Sequence, residues 1–201
     1  MQKLTLIIIV LSVILSGCRT GRSVATMYYI LEHPGQLKTN IDHDLTPVKK
    51  SCAIKTVEVN PAFSTNQIAI RENTHELRYF SFNQWATRPE QSLTTMLIGF
   101  MNNNNIFQTL YSPGPYQDPD YFIETIVNNL QVIDEGNNYS AHLNIEFRLK
   151  DHNTQQIALN HMADRKTMLD KQNLNLFASA ISEMFVDELT DFANKILTDL
   201  E

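Results

Sequence analysis

Cys18 is the residue whose neighbours most clearly prescribe a chemistry. It follows Leu15, Ser16 and Gly17 at the end of a greasy N-terminal segment. Two small residues fit a peptidase active site, and the cysteine after them can be alkylated through its sulfur. This is the pattern of a bacterial lipobox. Modification would place a diacylglyceryl thioether on Cys18 and, after cleavage, an acyl chain on its amine. Each buried methylene contributes about 0.8 kcal/mol, and two or more chains make an anchor stable.

The other reactive side chains show no comparable pattern. The six histidines are His33, His43, His75, His142, His152 and His161. No two have the four-residue spacing of a helical zinc pair, and no Cys-x-x-Cys exists. His33 and His43 share a polar loop. His142 and His161 could face each other across a hairpin. A Gly-x-Ser-x-Gly elbow, a phosphate loop and a dinucleotide fingerprint are all missing. Six glycines in 201 residues leave little backbone for cradling phosphates. No catalytic residue, metal ligand or cofactor site is expected, and the chain does not read as an enzyme.

Trp85 is the sole tryptophan and precedes a helix start. It can plug a sheet–helix junction, or serve as a partner-binding anchor, a role tryptophan favours. Phe80 and Phe82 carry the same two readings. Cys52, in the apolar run Cys52-Ala53-Ile54, reads as a buried small hydrophobe. With Cys18 acylated it has no intramolecular disulfide partner, so a bridge could only join another chain.

The segments around these residues bound the organisation. Met1-Gln2-Lys3 is a short basic start, and Leu4 to Leu15 is apolar except for Thr5 and Ser12. As a helix that run rises about 18 Å, against the roughly 30 Å of a bilayer core. It fits a signal segment rather than a permanent span. Residues 1–17 are therefore expected to be a lipoprotein signal peptide, 18–26 a lipidated tether, and 27–201 a single α+β periplasmic domain. Arg19 is not the aspartate that favours inner-membrane retention in enterobacterial lipoproteins, which points to the periplasmic face of the outer membrane. The net charge of −6 becomes one unit more acidic with the loss of Lys3. This argues against a nucleic-acid partner, which requires basic stripes, and against a second, polybasic membrane contact.

Along the domain, Met27 to Leu31 reads as a first strand. Glu32 to Ser51 reads as a loop and Cys52 to Val59 as a second strand, ended by Pro61. Asn66 to Arg71 and Glu76 to Phe82 form a strand pair. Asn83 to Ala86 leads into a helix, capped either by Thr87 in a capping box or by Arg88 with Pro89 in the first helical position. The restriction on residues before proline prefers Arg88. Leu93, Met96, Leu97, Phe100 and Met101 form its apolar stripe.

Ile106 to Leu110 is a short strand. Tyr121 to Ile133 is a long one whose apolar residues fall on both faces, as in a central or doubly covered strand. Asp134 to Asn138 is a hairpin turn. In Tyr139 to Lys150, Ala141, Leu143, Ile145, Phe147 and Leu149 face in. His142, Asn144, Glu146, Arg148 and Lys150 face out. Gln155 to Lys166 is its partner strand. A last helix from about Asn173 to Thr198 buries Leu174, Phe177, Ile181, Met184, Phe185, Phe192 and Ile196. The fold class is α+β, a mixed, mostly antiparallel sheet with two amphipathic helices packed on one face.

The order of these features carries a resemblance. A lipobox and short tether precede Tyr28-Tyr29-Ile30-Leu31, then Val57-Glu58-Val59-Asn60-Pro61, then Asn66-Gln67-Ile68-Ala69-Ile70-Arg71. Trp85-Ala86 and a Pro-Glu helix opening follow. The chain resembles the auxiliary lipoprotein component of ABC-type transport systems, and is similar to the lipoprotein of paraquat-inducible intermembrane transport, over about residues 26–198. It departs from many members at Ala62-Phe63-Ser64-Thr65, where they have Tyr-Leu-Asp-Arg.

The resemblance implies a non-catalytic outer-membrane lipoprotein working with inner-membrane transporter components and an MCE-domain protein that spans the periplasm. It also implies lipid or another hydrophobic cargo, and rings among relatives make a homo-oligomer an expectation. An alternative is a lipid-binding carrier or chaperone with its own apolar cavity, lined by Tyr121 to Ile133 and the methionine stripe. A third is an assembly factor for lipopolysaccharide export, which shares the lipobox but lacks this order of motifs.

Overall fold

The computed structural model describes residues 24–32, 41, 46–115, 118–136 and 138–200. Cys18, His33 and His43 lie outside them, as does most of the tether. Strands β1 (Met27–Tyr29), β2 (Val48–Ile54), β3 (Glu58–Val59), β4 (Gln67–Asn73) and β5 (Glu76–Trp85) precede helix α1 (Pro89–Asn103). Then come β6 (Phe107–Tyr111), β7 (Tyr121–Asp134), β8 (Tyr139–Asp151), β9 (Ile157–Leu169) and helix α2 (Leu174–Asp199).

β7 organises the sheet. One of its edges pairs antiparallel with β8 along its whole length, from Tyr121 opposite Asp151 to Asp134 opposite Tyr139. β8 then pairs antiparallel with β9. The other edge of β7 receives β2, β3 and β4 in succession, all parallel to it. β6 extends the sheet beyond β2, and β5 and β1 extend it beyond β4. The long ladders are thus antiparallel and the short ones parallel, giving the mixed α+β sheet expected from the sequence.

The two-faced pattern of β7 has a local cause. Ile123, Thr125 and Val127 point into the core, and after a bulge between Val127 and Asn129 the inward set becomes Leu130 and Val132. An extra residue in one strand shifts every following side chain to the other face. Exposed Asn128 sits in the bulge and donates to Asn144 Oδ1 at 3.0 Å. The β7–β8 turn closes through Gly136, whose φ of +85° is reached without penalty only by glycine. Its N–H donates to Asp134 Oδ1 at 3.0 Å.

Both helices add to one hydrophobic core. α1 starts at Pro89 with Arg88 as cap and no side-chain cap bond, so the Thr87 capping box does not form. Leu93, Leu97, Phe100 and Met101 are buried, and Met96 is half-buried. Thr94 Oγ1 donates to the Glu90 carbonyl and accepts from Val57 N–H at 2.9 Å, tying α1 to the segment before β3. α2 begins at Asn173, whose Oδ1 accepts from Asn175 and Leu176 N–H at 2.9 and 3.3 Å. Its expected stripe is buried throughout. Phe192 stacks on Phe147 of β8 at 5.2 Å between centroids, and Phe185 lies 5.8 Å from the same ring.

Four expectations are corrected. Val48 to Ser51 is strand rather than loop. Its polar side chains hide a register that β6 supplies on one edge, while Asp120 accepts from the Ser51 N–H and hydroxyl, both at 2.8 Å. The second strand breaks after Ile54 and resumes at Glu58, and β5 runs on through Asn83, Gln84 and Trp85 because β1 pairs with them. His142 and Glu146 keep their outward positions on β8 but are buried. Gln131 on β7 and Asp164 on β9 hydrogen-bond His142, and Arg148 on β8 hydrogen-bonds Glu146.

Candidate functional site

Trp85 ends β5 and is 1% exposed. β1 fixes it from the side, with Tyr29 opposite Trp85 in register. Its ring lies 5.7 Å from that of Phe177 in the first turn of α2. The structure therefore uses the indole as the sheet–helix plug and leaves it no surface for a partner. Phe80 is half-buried, whereas Phe82 remains exposed.

The two hairpin histidines do not meet. His142 stands opposite Lys166 and His161 opposite Phe147, on different faces of the sheet. His142 Nε2 donates to Asp164 Oδ1 at 2.6 Å, and its Nδ1 accepts from Gln131 Nε2 at 3.2 Å. Gln131 Oε1 in turn accepts from Arg71 Nε at 3.0 Å. The His142 bond holds the Asp164 carboxyl below its ordinary range. This chain of bonds crosses β4, β7, β8 and β9 and locks their outer face.

A second network, unforeseen from the sequence, is built into the inner face. His161 Nε2 donates to Glu188 Oε2 at 2.8 Å, and Arg165 donates to the other oxygen of Glu188. Lys195 Nζ donates to His161 Nδ1 at 2.8 Å. These contacts assign the neutral imidazole its tautomer, with the proton on Nε2. His161 and Glu188 are buried among aromatic rings, His161 lying 6.2 Å from Phe147 and 6.4 Å from Phe192. The available signal was the placing of His161 and Arg165 on one strand face and of Glu188 and Lys195 seven residues apart on one helix face.

Two further carboxylates on the outer face are also paired. Glu124 accepts from Lys55 at 2.6 Å and Lys150 at 3.3 Å. Its burial alone would raise its pKa, but the two ammonium groups outweigh that and lower it. Arg148 bonds both oxygens of Glu146 at 2.7 and 2.6 Å and holds that carboxyl down. Burial pushes the Cys52 thiol well above its ordinary range, so it is neither nucleophile nor ligand in the folded chain.

Among the described residues no group of three or more His, Cys, Asp or Glu could hold a metal ion. Nor is any described helix long and apolar enough to cross a membrane. What remains exposed is sheet edge. Among the described residues β9 pairs only with β8, and β1 only with β5. Met162 and Met168 on β9, and Met27 and Tyr28 on β1, are each at least 60% exposed. The arrangement suits contact with another surface through edges and exposed apolar side chains.

Residues 29–192 match the family model described as "ABC-type transport auxiliary lipoprotein component". The crystal structure of a Xanthomonas campestris protein of the family DUF330 is similar, with 12% identity and a TM-score of 0.67. The match covers 88% of this chain and 95% of that one. The crystal structure of an uncharacterized protein matches with 13% identity and a TM-score of 0.65, covering 86% of this chain and 99% of that one. At these identities the likeness is one of fold. No curated protein matches the sequence.

Proposed function

We propose, from the premise that this chain belongs to the ABC-type transport auxiliary lipoprotein family, that it is a non-catalytic docking component of an intermembrane lipid transport system. In this reading Cys18 is acylated and holds the domain on the periplasmic face of the outer membrane. An MCE-domain protein, linked to inner-membrane transporter components, docks on the domain and passes lipid across the periplasm.

One observation carries the reading. The family match begins at Tyr29, eleven residues beyond the lipobox at Cys18, so only a short tether separates the anchor from the domain. Support comes from the charged groups described above, which are spent on holding strands and helices together. The exposed edge of β9, with Ile157 and Met162 on it, offers the partner a strand to pair with.

The test is crosslinking in intact cells followed by isolation of the lipidated protein. An MCE-domain protein should be recovered together with the transporter components. Recovery of the anchored lipoprotein without any MCE-domain protein would contradict the docking role. Stoichiometric bound lipid in its place would favour a carrier.

A further inference from the structure

We infer that the end of the domain formed by β1, β5 and the β9–α2 turn lies against the bilayer, seated in the lipid interface. This rests on the acylation of Cys18 proposed above. Val24, Met27, Tyr28, Ile30 and Phe82 are each between 48% and 64% exposed. The β9–α2 turn reaches this end, because Lys171 to Leu174 line a cleft of about 280 Å³ together with Tyr29, Phe80 and Asn83. Large apolar side chains standing together in this way mark a contact surface.

Charge favours a lipid occupant. Residues 24–31 and 79–87, which supply β1 and most of β5, contain no charged side chain. Elsewhere the sheet face is laced with ion pairs. The uncharged, aromatic-bearing β1–β5 edge desolvates at little cost and tyrosine suits the headgroup level, while exposed Asp170 and Lys171 of the neighbouring turn stay among the polar headgroups.

Chain length sets the geometry. Six peptide units separate Cys18 from Val24. Fully extended they span about 20 Å. The patch therefore cannot leave the neighbourhood of the acyl chains. Tyr29 fixes β1 to the domain, its hydroxyl donating to Asn83 Oδ1 at 3.1 Å and its carbonyl accepting from Ala86 N–H at 2.7 Å. The anchor consequently orients the whole domain and points the Ile157 end of β9 away from the membrane.

The mature lipidated protein is reconstituted into phosphatidylethanolamine–phosphatidylglycerol vesicles containing doxyl-labelled lipid. Single variants Tyr28→Cys, Phe82→Cys and Ile157→Cys are labelled with an environment-sensitive fluorophore. Cys52 is buried and stays unlabelled. Contact at an interfacial depth of roughly 5–10 Å should quench the Tyr28 and Phe82 probes at least about twofold more than the Ile157 probe. Vesicle-bound protein with equal quenching at all three sites would overturn the inference while leaving acyl anchoring intact. Probes shielded from water yet unquenched would show a second protein surface on the patch and also overturn it. Protein that does not float with vesicles would refute the anchoring itself, and the inference with it.

Discussion

Replacing Glu188 tests how far the inner polar network supports the fold. Glu188 is 4% exposed, and its two oxygens accept from His161 and Arg165. Glu188→Gln keeps the shape, removes the charge and offers an N–H where a donor already points. Breaking a buried ion pair costs about 3–5 kcal/mol when the surviving charge has no escape. Here Arg165 has an escape, its side chain being 44% exposed and 4.0 Å from Asp187. His161, neutral and 8% exposed beneath α2, strands no charge, but its Nε2–H loses a charged acceptor it cannot replace from solvent.

The expected cost is therefore about 2–3 kcal/mol, less than the full penalty. For a domain of this size each kcal/mol moves Tm by about 2–4 °C, so the fall should be about 4–12 °C. Circular dichroism during heating and urea unfolding at pH 7 would measure it. Combining Glu188→Gln with His161→Gln should give a coupling of at least about 1 kcal/mol. A loss below about 1 kcal/mol for the single variant, with additive effects in the pair, would refute the assignment of this network to stability.

Other outcomes follow from single features. Trp85→Ala should lower stability by about 3–5 kcal/mol, since it removes the largest plug between β5 and α2; a near-neutral result in urea unfolding would deny that role. Thr125 Oγ1 is buried without a hydrogen-bond partner, so Thr125→Val should raise stability by about 1 kcal/mol, and a drop in Tm would count against it.

The carboxyls of Glu124, Glu146 and Asp164 are lowered in the fold. Below their ordinary range the unfolded chain binds more protons than the folded one, so stability falls with falling pH. It should be level from neutrality to about pH 5 and decline beneath about pH 4.5, where unfolded glutamates titrate. Glu146→Gln should flatten that decline, and an unchanged acid limb in denaturant titrations would contradict the pairing with Arg148. Cys52 should resist a thiol reagent until the protein unfolds; labelling at native urea concentrations would show that its site opens.

The legible parts of this chain are those held by local periodicity. The alternation from Ala141 to Leu149 and the stripe of α2 appear in the structure with the faces read from the sequence, because each repeats over several turns or pleats. The less legible parts depend on residues far apart. Lys49 to Ser51 is polar, and Val48 to Ser51 becomes strand only through β6 and the bonds of Ser51 to Asp120, which lie more than fifty residues downstream. The bulge in β7 erased its own alternation, leaving only the sign of a central strand. His142 and Glu146 obey the outward phase yet are buried, since alternation gives direction but not what lies over the side chain. For the proposed site, the lipobox reading of Cys18 rests on contiguous residues, because the peptidase and acyl-transfer chemistry it implies would act on a short linear segment. The exposed apolar end joins Val24 to Ile30 with Phe82 of β5 and the β9–α2 turn, and only the first of these is contiguous.

The anchoring of the domain through Cys18 is best tested by comparing native protein with Cys18→Ala after membrane fractionation and intact-mass measurement. The native protein should be found in the outer membrane, cleaved before Cys18 and heavier by its acyl groups. The variant should keep the unfolding profile of the domain, carry no acyl mass and leave the outer-membrane fraction. A variant without acyl mass that remained in the outer membrane and still sustained transport would contradict the account.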